Sequence, residues 1–183
     1  KLFLNAGPGY GGACLPKDVS ALIKFSDKIG VKPILLSAVE KTNREQMNNI
    51  ISLMKKILGD ITAKRITILG TAFKPNTDDV RDSKSIELIK KLLKNKAKIT
   101  IHDPKAIENT KKIFGEKILY ATSIADALNK AQCVIIMTHW KQYDTLNNNS
   151  IKHMSKKIII DCRRVLVKKE LDAEYYAIGI GKN

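Results

Sequence analysis

Ile66-Thr67-Ile68-Leu69-Gly70 is a short run that is apolar or β-branched throughout and breaks off at a glycine. Such a run reads as a strand buried on both faces, since a sheet with one wet face alternates apolar with polar residues. The same composition returns at Ile99-Thr100-Ile101, Val134-Ile135-Ile136-Met137 and Ile158-Ile159-Ile160, with a last strand at Tyr175 to Ile178. Segments of helical character lie between them, near 84–95, 105–114, 124–130 and 147–154. Ser123 with Asp126 reads as a capping pair opening the third of these, and Asn147-Asn148-Asn149 as the entry to the fourth. Continuous apolar strands alternating with helices predict an α/β unit over residues 60–183, a parallel sheet covered on both faces.

The chain ahead of this unit has a different period. Pro16 suits a first helical position, and Val19, Leu22, Ile23 and Phe25 follow at helical spacing until Gly30. A second helix is expected from Pro33 to Leu58, with Leu35, Val39, Met47, Ile50, Met54 and Ile57 near a 3.6-residue period and a polar stretch at Thr42, Asn43 and Arg44. A helix of that length ahead of a separate α/β unit suits a domain linker or a dimer interface better than a core element. Residues 1–59 are therefore expected to form a loop and a helical dimerisation segment.

The loop is Gly7-Pro8-Gly9-Tyr10-Gly11-Gly12-Ala13-Cys14-Leu15-Pro16-Lys17-Asp18. Its glycines let the backbone approach a ligand closely, and a cysteine just ahead of a helix feels the positive end of the helix dipole and a nearby lysine. A thiol so placed favours ionisation. Taken alone, the stretch reads more readily as a glycine-rich turn carrying an inert thiol. Gly7, Gly9 and Gly12 also satisfy G-x-G-x-x-G, but no βαβ unit follows them, so the match to a dinucleotide fingerprint is accidental.

Composition narrows the classes further. The chain has 183 residues, 44% of them hydrophobic, enough for one sizeable core or for one α/β domain with a helical appendage. No apolar run reaches the roughly 20 residues that span a bilayer, so no membrane partner is expected. Cys14, Cys133 and Cys162 are widely spaced, and two fall in or beside apolar strands, which points to a reducing, cytoplasmic setting. The formal charge of +15 suits an anionic partner. The lysines are scattered over helix faces without aromatic interleaving or a nucleic-acid-binding motif, so a solvated basic surface is expected and no nucleic-acid partner. His102, His139 and His153 lack metal-ligand spacing, and no metal site is expected. Trp140 reads as a packing residue at the mouth of the sheet, and Cys133 as inert. The chain begins at Lys1, close to its most glycine-rich loop, and is expected to be a piece of a longer protein.

Five spaced motifs carry a resemblance. The run Gly9 to Asp18 resembles the nucleophile segment of the UDP-glucose and GDP-mannose dehydrogenase family. Gly70-Thr71-Ala72-Phe73-Lys74-Pro75-Asn76-Thr77-Asp78-Asp79-Val80-Arg81-Asp82-Ser83 resembles that family's sugar-nucleotide loop, and His102-Asp103-Pro104, Thr138-His139-Trp140 and Asp161-Cys162-Arg163-Arg164-Val165-Leu166 resemble its later strand ends. The wording around Cys14 and Lys74 favours the UDP-glucose branch, with a related UDP- or GDP-sugar dehydrogenase as the alternative; a non-catalytic nucleotide-binding or dimerisation module stands apart from both. The resemblance implies oxidation of a sugar C6 alcohol to a carboxylate by a Rossmann-like, homodimeric, NAD-dependent enzyme, whose NAD-binding domain is absent from this chain. By that resemblance Cys14 is the nucleophile and Asp18 positions water. Phe3, Leu4, Asn5, Ala6, Gly7 and Gly11 line the sugar-nucleotide site, and Phe73, Lys74 and Arg163 contact the UDP-sugar. Cys14, Lys17 and Arg81 adjoin NAD. Ion pairing with Asp78, Asp79 or Asp82 is the plainer reading of Arg81.

Overall fold

A computed structural model of the chain describes residue 5, residues 7–167 and residues 169–180. Helix α1 spans Leu15–Lys28 and α2 spans Ile34–Leu58. The α/β unit follows as β1 (Arg65–Leu69), α3 (Lys84–Lys94), β2 (Lys98–His102), α4 (Ile107–Phe114), β3 (Leu119–Tyr120), α5 (Ile124–Leu128), β4 (Cys133–Ile136), α6 (Asn148–Ile151), β5 (Ile158–Asp161) and β6 (Glu174–Ala177). The strands form one sheet in the order β3-β2-β1-β4-β5-β6, every neighbouring pair parallel. The order reverses between β1 and β4, the switch point at whose carboxyl side α/β sheets open a ligand crevice.

The expected α/β architecture and its main strands are thus present; α6 covers only Asn148–Ile151 of the expected 147–154, and three further differences have local causes. Strand β3 escaped the sequence reading because Leu119 and Tyr120 pair only with Thr100 and Ile101 at an edge and carry no apolar run. Helix α4 starts at Ile107 rather than 105, because the Asp103 carboxylate accepts from the backbone N–H groups of Lys105 and Ala106 and holds them in a turn ahead of the helix. Helix α5 stops at Leu128, with Lys130 in the left-handed region at φ 58°. The capping reading stands at Ser123, which accepts from the Asp126 N–H, and Asn147, expected at a helix entry, forms a reciprocal capping box with Ser150.

The sheet separates two cores. On one side Ile66, Ile68, Ile99, Ile101, Ile135 and Ile160 meet α3 through Ile86, Leu88, Ile89 and Leu92. On the other Leu69, Val134, Ile136 and Ile159 meet α5, α6, Trp140 and Tyr143. The first core also contains Met47, Ile50 and Met54 of α2. This corrects one expectation: the second half of the long helix is a core element, and packing crosses the expected boundary at 59/60. The reason is spacing, since residues 47, 50 and 54 form one stripe that lies along α3 and the sheet. The first half of the same helix leaves Ile34, Leu35 and Val39 exposed.

Candidate active site at the carboxyl end of the sheet

Two buried carboxylates shape this end of the molecule. Asp103, just after β2, accepts at Oδ2 from the N–H groups of Thr71 (2.7 Å), Ala72 (3.0 Å) and the Trp140 indole (3.2 Å). With its other oxygen accepting from the Lys105 and Ala106 N–H groups just ahead of α4, it ties the chain leaving β1 to the ends of β2 and β4. Ser83 Oγ donates to the Thr71 carbonyl, and Phe73 N–H to that of Asp79, so the 71–83 loop is closed on itself. Asp161, ending β5, accepts from the N–H groups of Arg163 and Leu166 and from the Tyr175 hydroxyl. Arg163 Nε donates to the Met137 carbonyl at 2.8 Å, which aims the guanidinium toward the middle of the sheet end. Its burial lowers its affinity for the proton relative to a free guanidinium.

The glycine loop lies across this floor at four points where a side chain would not fit. A Cβ on Gly7 would come 2.6 Å from Arg163 Nη1, and one on Gly12 would meet the Phe73 ring at the same distance. On Gly11 it would strike the Asp82 carbonyl oxygen at 2.2 Å, and on Gly9 the Asn43 Oδ1 at 2.3 Å. Gly9 and Gly12 also have positive φ, which glycine adopts without steric cost. The loop delivers Cys14 to the N-cap of α1, where it is exposed. The Asp18 N–H donates to the Cys14 carbonyl at 2.8 Å, closing the first helical turn.

Lys17 and Arg81 each lie within electrostatic reach of the Cys14 sulfur. Both are fully exposed and each has a carboxylate partner. Lys17 pairs with Asp18, and Arg81 takes Asp79 through Nε and Nη2. The plainer reading of Arg81 is therefore present in the structure beside its nearness to Cys14. Asp79 is held below the usual carboxylate range by its hydrogen bonds to Arg81. Lys74 is exposed, its Nζ 5.4 Å from the Phe73 ring centroid, while Phe73 covers Gly12. Asn5 is exposed; Phe3, Leu4 and Ala6 lie outside the described residues. Cys133 and Cys162 are buried and free; burial pushes the Cys133 thiol up to about 12 and that of Cys162 higher still. His102 is buried with Nδ1 3.0 Å from the Tyr143 hydroxyl, and His139 pairs with Asp144. Among the described residues no group of histidine, cysteine and acidic side chains could hold a metal.

The switch point itself is filled. A Cβ on Gly70 would stand 2.4 Å from Thr138 Cβ, Thr138 Oγ1 donates to the Ala72 carbonyl, and the cavity beside them measures about 10 Å³. Toward a dinucleotide the described residues offer two cations within electrostatic reach of Cys14, Lys17 and Arg81. Sequence reasoning missed Asn43 and gave no role to Asp103 or Asp161. The signal for Asn43 was available: position 43 falls one turn before Met47 on the stripe 47, 50 and 54, so a polar side chain occupies a core position.

A profile of the UDP-glucose/GDP-mannose dehydrogenase family, UDP binding domain, matches residues 67–168, and one of the same family's central domain matches residues 1–45. The chain is 37% identical over 183 residues to a UDP-glucose 6-dehydrogenase of Rickettsia felis, covering 97% of this chain and 41% of that protein. It is 40% identical over 173 residues to one of Haloferax volcanii, covering 94% of this chain and 40% of that protein. A UDP-glucose dehydrogenase structure from Pyrobaculum islandicum superimposes with a TM-score of 0.88 at 33% identity, over 97% of this chain and 39% of that one. A UDP-D-ManNAc dehydrogenase from Pyrococcus horikoshii, at 23% identity and a TM-score of 0.78, shares the fold over 94% of this chain and 39% of its own. The chain spans about 40% of the length of the curated relatives it matches.

Proposed function

The chain belongs to the UDP-glucose/GDP-mannose dehydrogenase family, and on that premise we propose that it is the nucleophile-bearing and UDP-sugar-binding part of an NAD-dependent UDP-glucose 6-dehydrogenase. The reaction is oxidation of UDP-glucose to UDP-glucuronate. Residues 1–59 are read as the nucleophile loop with a central helical segment, and residues 60–183 as the UDP-sugar-binding unit. One observation carries this reading: the loop bearing exposed Cys14 is seated by its glycines on Arg163 and Phe73 at the carboxyl end of a parallel sheet. A part-buried guanidinium and close-packed glycine backbone meet there, with the exposed thiol two residues beyond Gly12 at the start of α1.

In this reading two hydrides leave C6 in turn: the alcohol first loses a hydride and its hydroxyl proton to give the aldehyde, and the Cys14 sulfur then adds to the aldehyde carbon, whose oxygen takes a proton to give a thiohemiacetal. NAD supplies the hydride acceptor when bound. Loss of the C6 hydride and the hydroxyl proton leaves a thioester on Cys14. Water then cleaves the C–S bond, releasing the carboxylate and returning the thiol. Asp18 lies one turn from Cys14 on the same side of α1, close enough to orient that water. Lys17 and Arg81, within electrostatic reach of the sulfur, would offer positive charge to an anionic cofactor. Lys74, Arg163, Gly7 and Gly11 are read as sugar-nucleotide contacts, together with Phe3, Leu4, Asn5, Ala6 and Phe73. We read the protein as a cytoplasmic homodimer joined through the central helix. Exposed Ile34, Leu35 and Val39 on α2, with Leu22 and Phe25 on α1, are apolar surface in support, and so are three unpaired thiols.

Calorimetric titration with UDP-glucose and, separately, with NAD tests this. UDP-glucose binding is expected, weakened roughly tenfold in Lys74→Ala as one charge-assisted contact is lost, with little binding of NAD to this chain. Absence of UDP-glucose binding would overturn the assignment of residues 60–183.

A further inference from the structure

We infer that Asn43 is a positioning residue for the nucleophile loop, acting on Cys14 through the backbone of Tyr10. The inference rests on the reading of Cys14 as nucleophile. Asn43 stands on α2, yet its side chain behaves as part of the loop. Its Oδ1 accepts from the Tyr10 N–H at 2.8 Å and its Nδ2 donates to the Tyr10 carbonyl at 3.1 Å. A primary amide that takes both polar groups of one residue fixes the position and tilt of that peptide, as a neighbouring strand would. Asn43 is only 9% exposed, so its pairing is made away from bulk water, where leaving either partner unmade is costly.

Position also singles it out. The other close approaches of the loop, at Gly7, Gly11 and Gly12, are to Arg163, Asp82 and Phe73 of the α/β unit. Asn43 is the tie from α2. It heads the stripe of Met47, Ile50 and Met54 that anchors α2 in the core, so the loop is referenced to a rigid element four residues ahead of the sulfur. Gly9 is the companion of this tie, since any side chain there would displace the Asn43 amide. Next to it, Glu40 accepts from Ser20 Oγ at 3.0 Å and pairs with Arg44, which joins the first turns of α1 to the same stretch of α2.

The test reads Cys14 directly and needs no substrate, so it is independent of whether UDP-glucose binds. The rate of iodoacetamide alkylation at Cys14 is measured by peptide mass spectrometry on the folded chain, in which Cys133 and Cys162 are buried. Asn43→Ala is expected to change the alkylation rate on the order of threefold or more, as Cys14 leaves its fixed place at the start of α1 for part of the time. Asn43→Asp keeps the acceptor for the Tyr10 N–H but turns a carboxylate oxygen toward the Tyr10 carbonyl, and is expected to fall between the two. An unchanged rate in folded Asn43→Ala overturns the inference. Should the variants fail to fold, hydrogen exchange of the unsubstituted chain decides: the Tyr10 amide is expected to exchange at least tenfold more slowly than a free loop amide, and exchange as fast as a free amide overturns it.

Discussion

Helices α1 and α3 have comparable amphipathic sequences, 14 and 11 residues long, but opposite fates. Helix α3 buries Ser85, Ile86, Leu88, Ile89 and Leu92 against the sheet and α2, whereas α1 buries no residue and leaves Leu22 and Phe25 half exposed or more. Helix α2 repeats the contrast within one element, its stripe passing from buried Met54, Ile50 and Met47 through Asn43 to exposed Val39 and Leu35. Periodicity states which face of a helix is apolar; it does not state what covers that face. The α/β unit is closed by its own sheet, while the N-terminal helices present apolar surface of the kind that a second subunit covers in the reading proposed above.

The contrast can be broken by truncating one residue from each side of it. Ile50→Ala in the buried half of α2 is expected to lower unfolding free energy by about 2–5 kcal/mol, since it removes core volume between α3 and the sheet; a loss under about 1 kcal/mol in urea unfolding would show that this half of α2 is not part of the core.

A pH titration sharpens the comparison, because the buried histidine lies only in the α/β unit. Burial, partly offset by Asp103, lowers the His102 pKa below its ordinary 6.5. The unfolded chain therefore binds this proton more readily than the folded one. The stability that comes from keeping His102 neutral is present above about pH 6.5 and is lost as pH falls below that toward the folded value. The slope from this one group is at most about 1.4 kcal/mol per pH unit. Urea unfolding between pH 7 and 5 is expected to show it, and His102→Asn to flatten it; an equal slope in the variant would assign the effect to other groups.

The smallest effect belongs to α1. Leu22→Ala is expected to change the stability of the dilute chain by less than about 0.5 kcal/mol, as for an exposed position. A cost approaching that of Ile50→Ala in sedimentation-checked monomer would mean that α1 is buried in solution by contacts the fold does not display.

Much of the α/β unit was legible because burial on both faces demands continuous apolar runs, and Ile66 to Leu69, Val134 to Ile136 and Ile158 to Ile160 are such runs. The cap at Ser123 was legible for a related reason, since capping is chemistry between residues three apart. Strand β3 was not, because a pair of edge residues leaves no pattern. In the site, Cys14 and the glycines stood out by composition, but the partners that make glycine necessary did not. Arg163, Asp82, Phe73 and Asn43 are brought to Gly7, Gly11, Gly12 and Gly9 from three separate places in the chain.

The amino-acid order by itself thus determined the alternation of strand and helix, the two-sided burial of the sheet and the glycine-rich loop that sets Cys14 just ahead of a helix, since each depends on neighbours within a turn or a strand. Tertiary structure alone decided that α2 divides into a buried and an exposed half, that Asp103 and Asp161 hold the loops at the sheet end, and that Asn43 reaches Tyr10. Those outcomes depend on which surfaces meet, and contacts between residues 33 positions apart leave no local periodicity from which to read them.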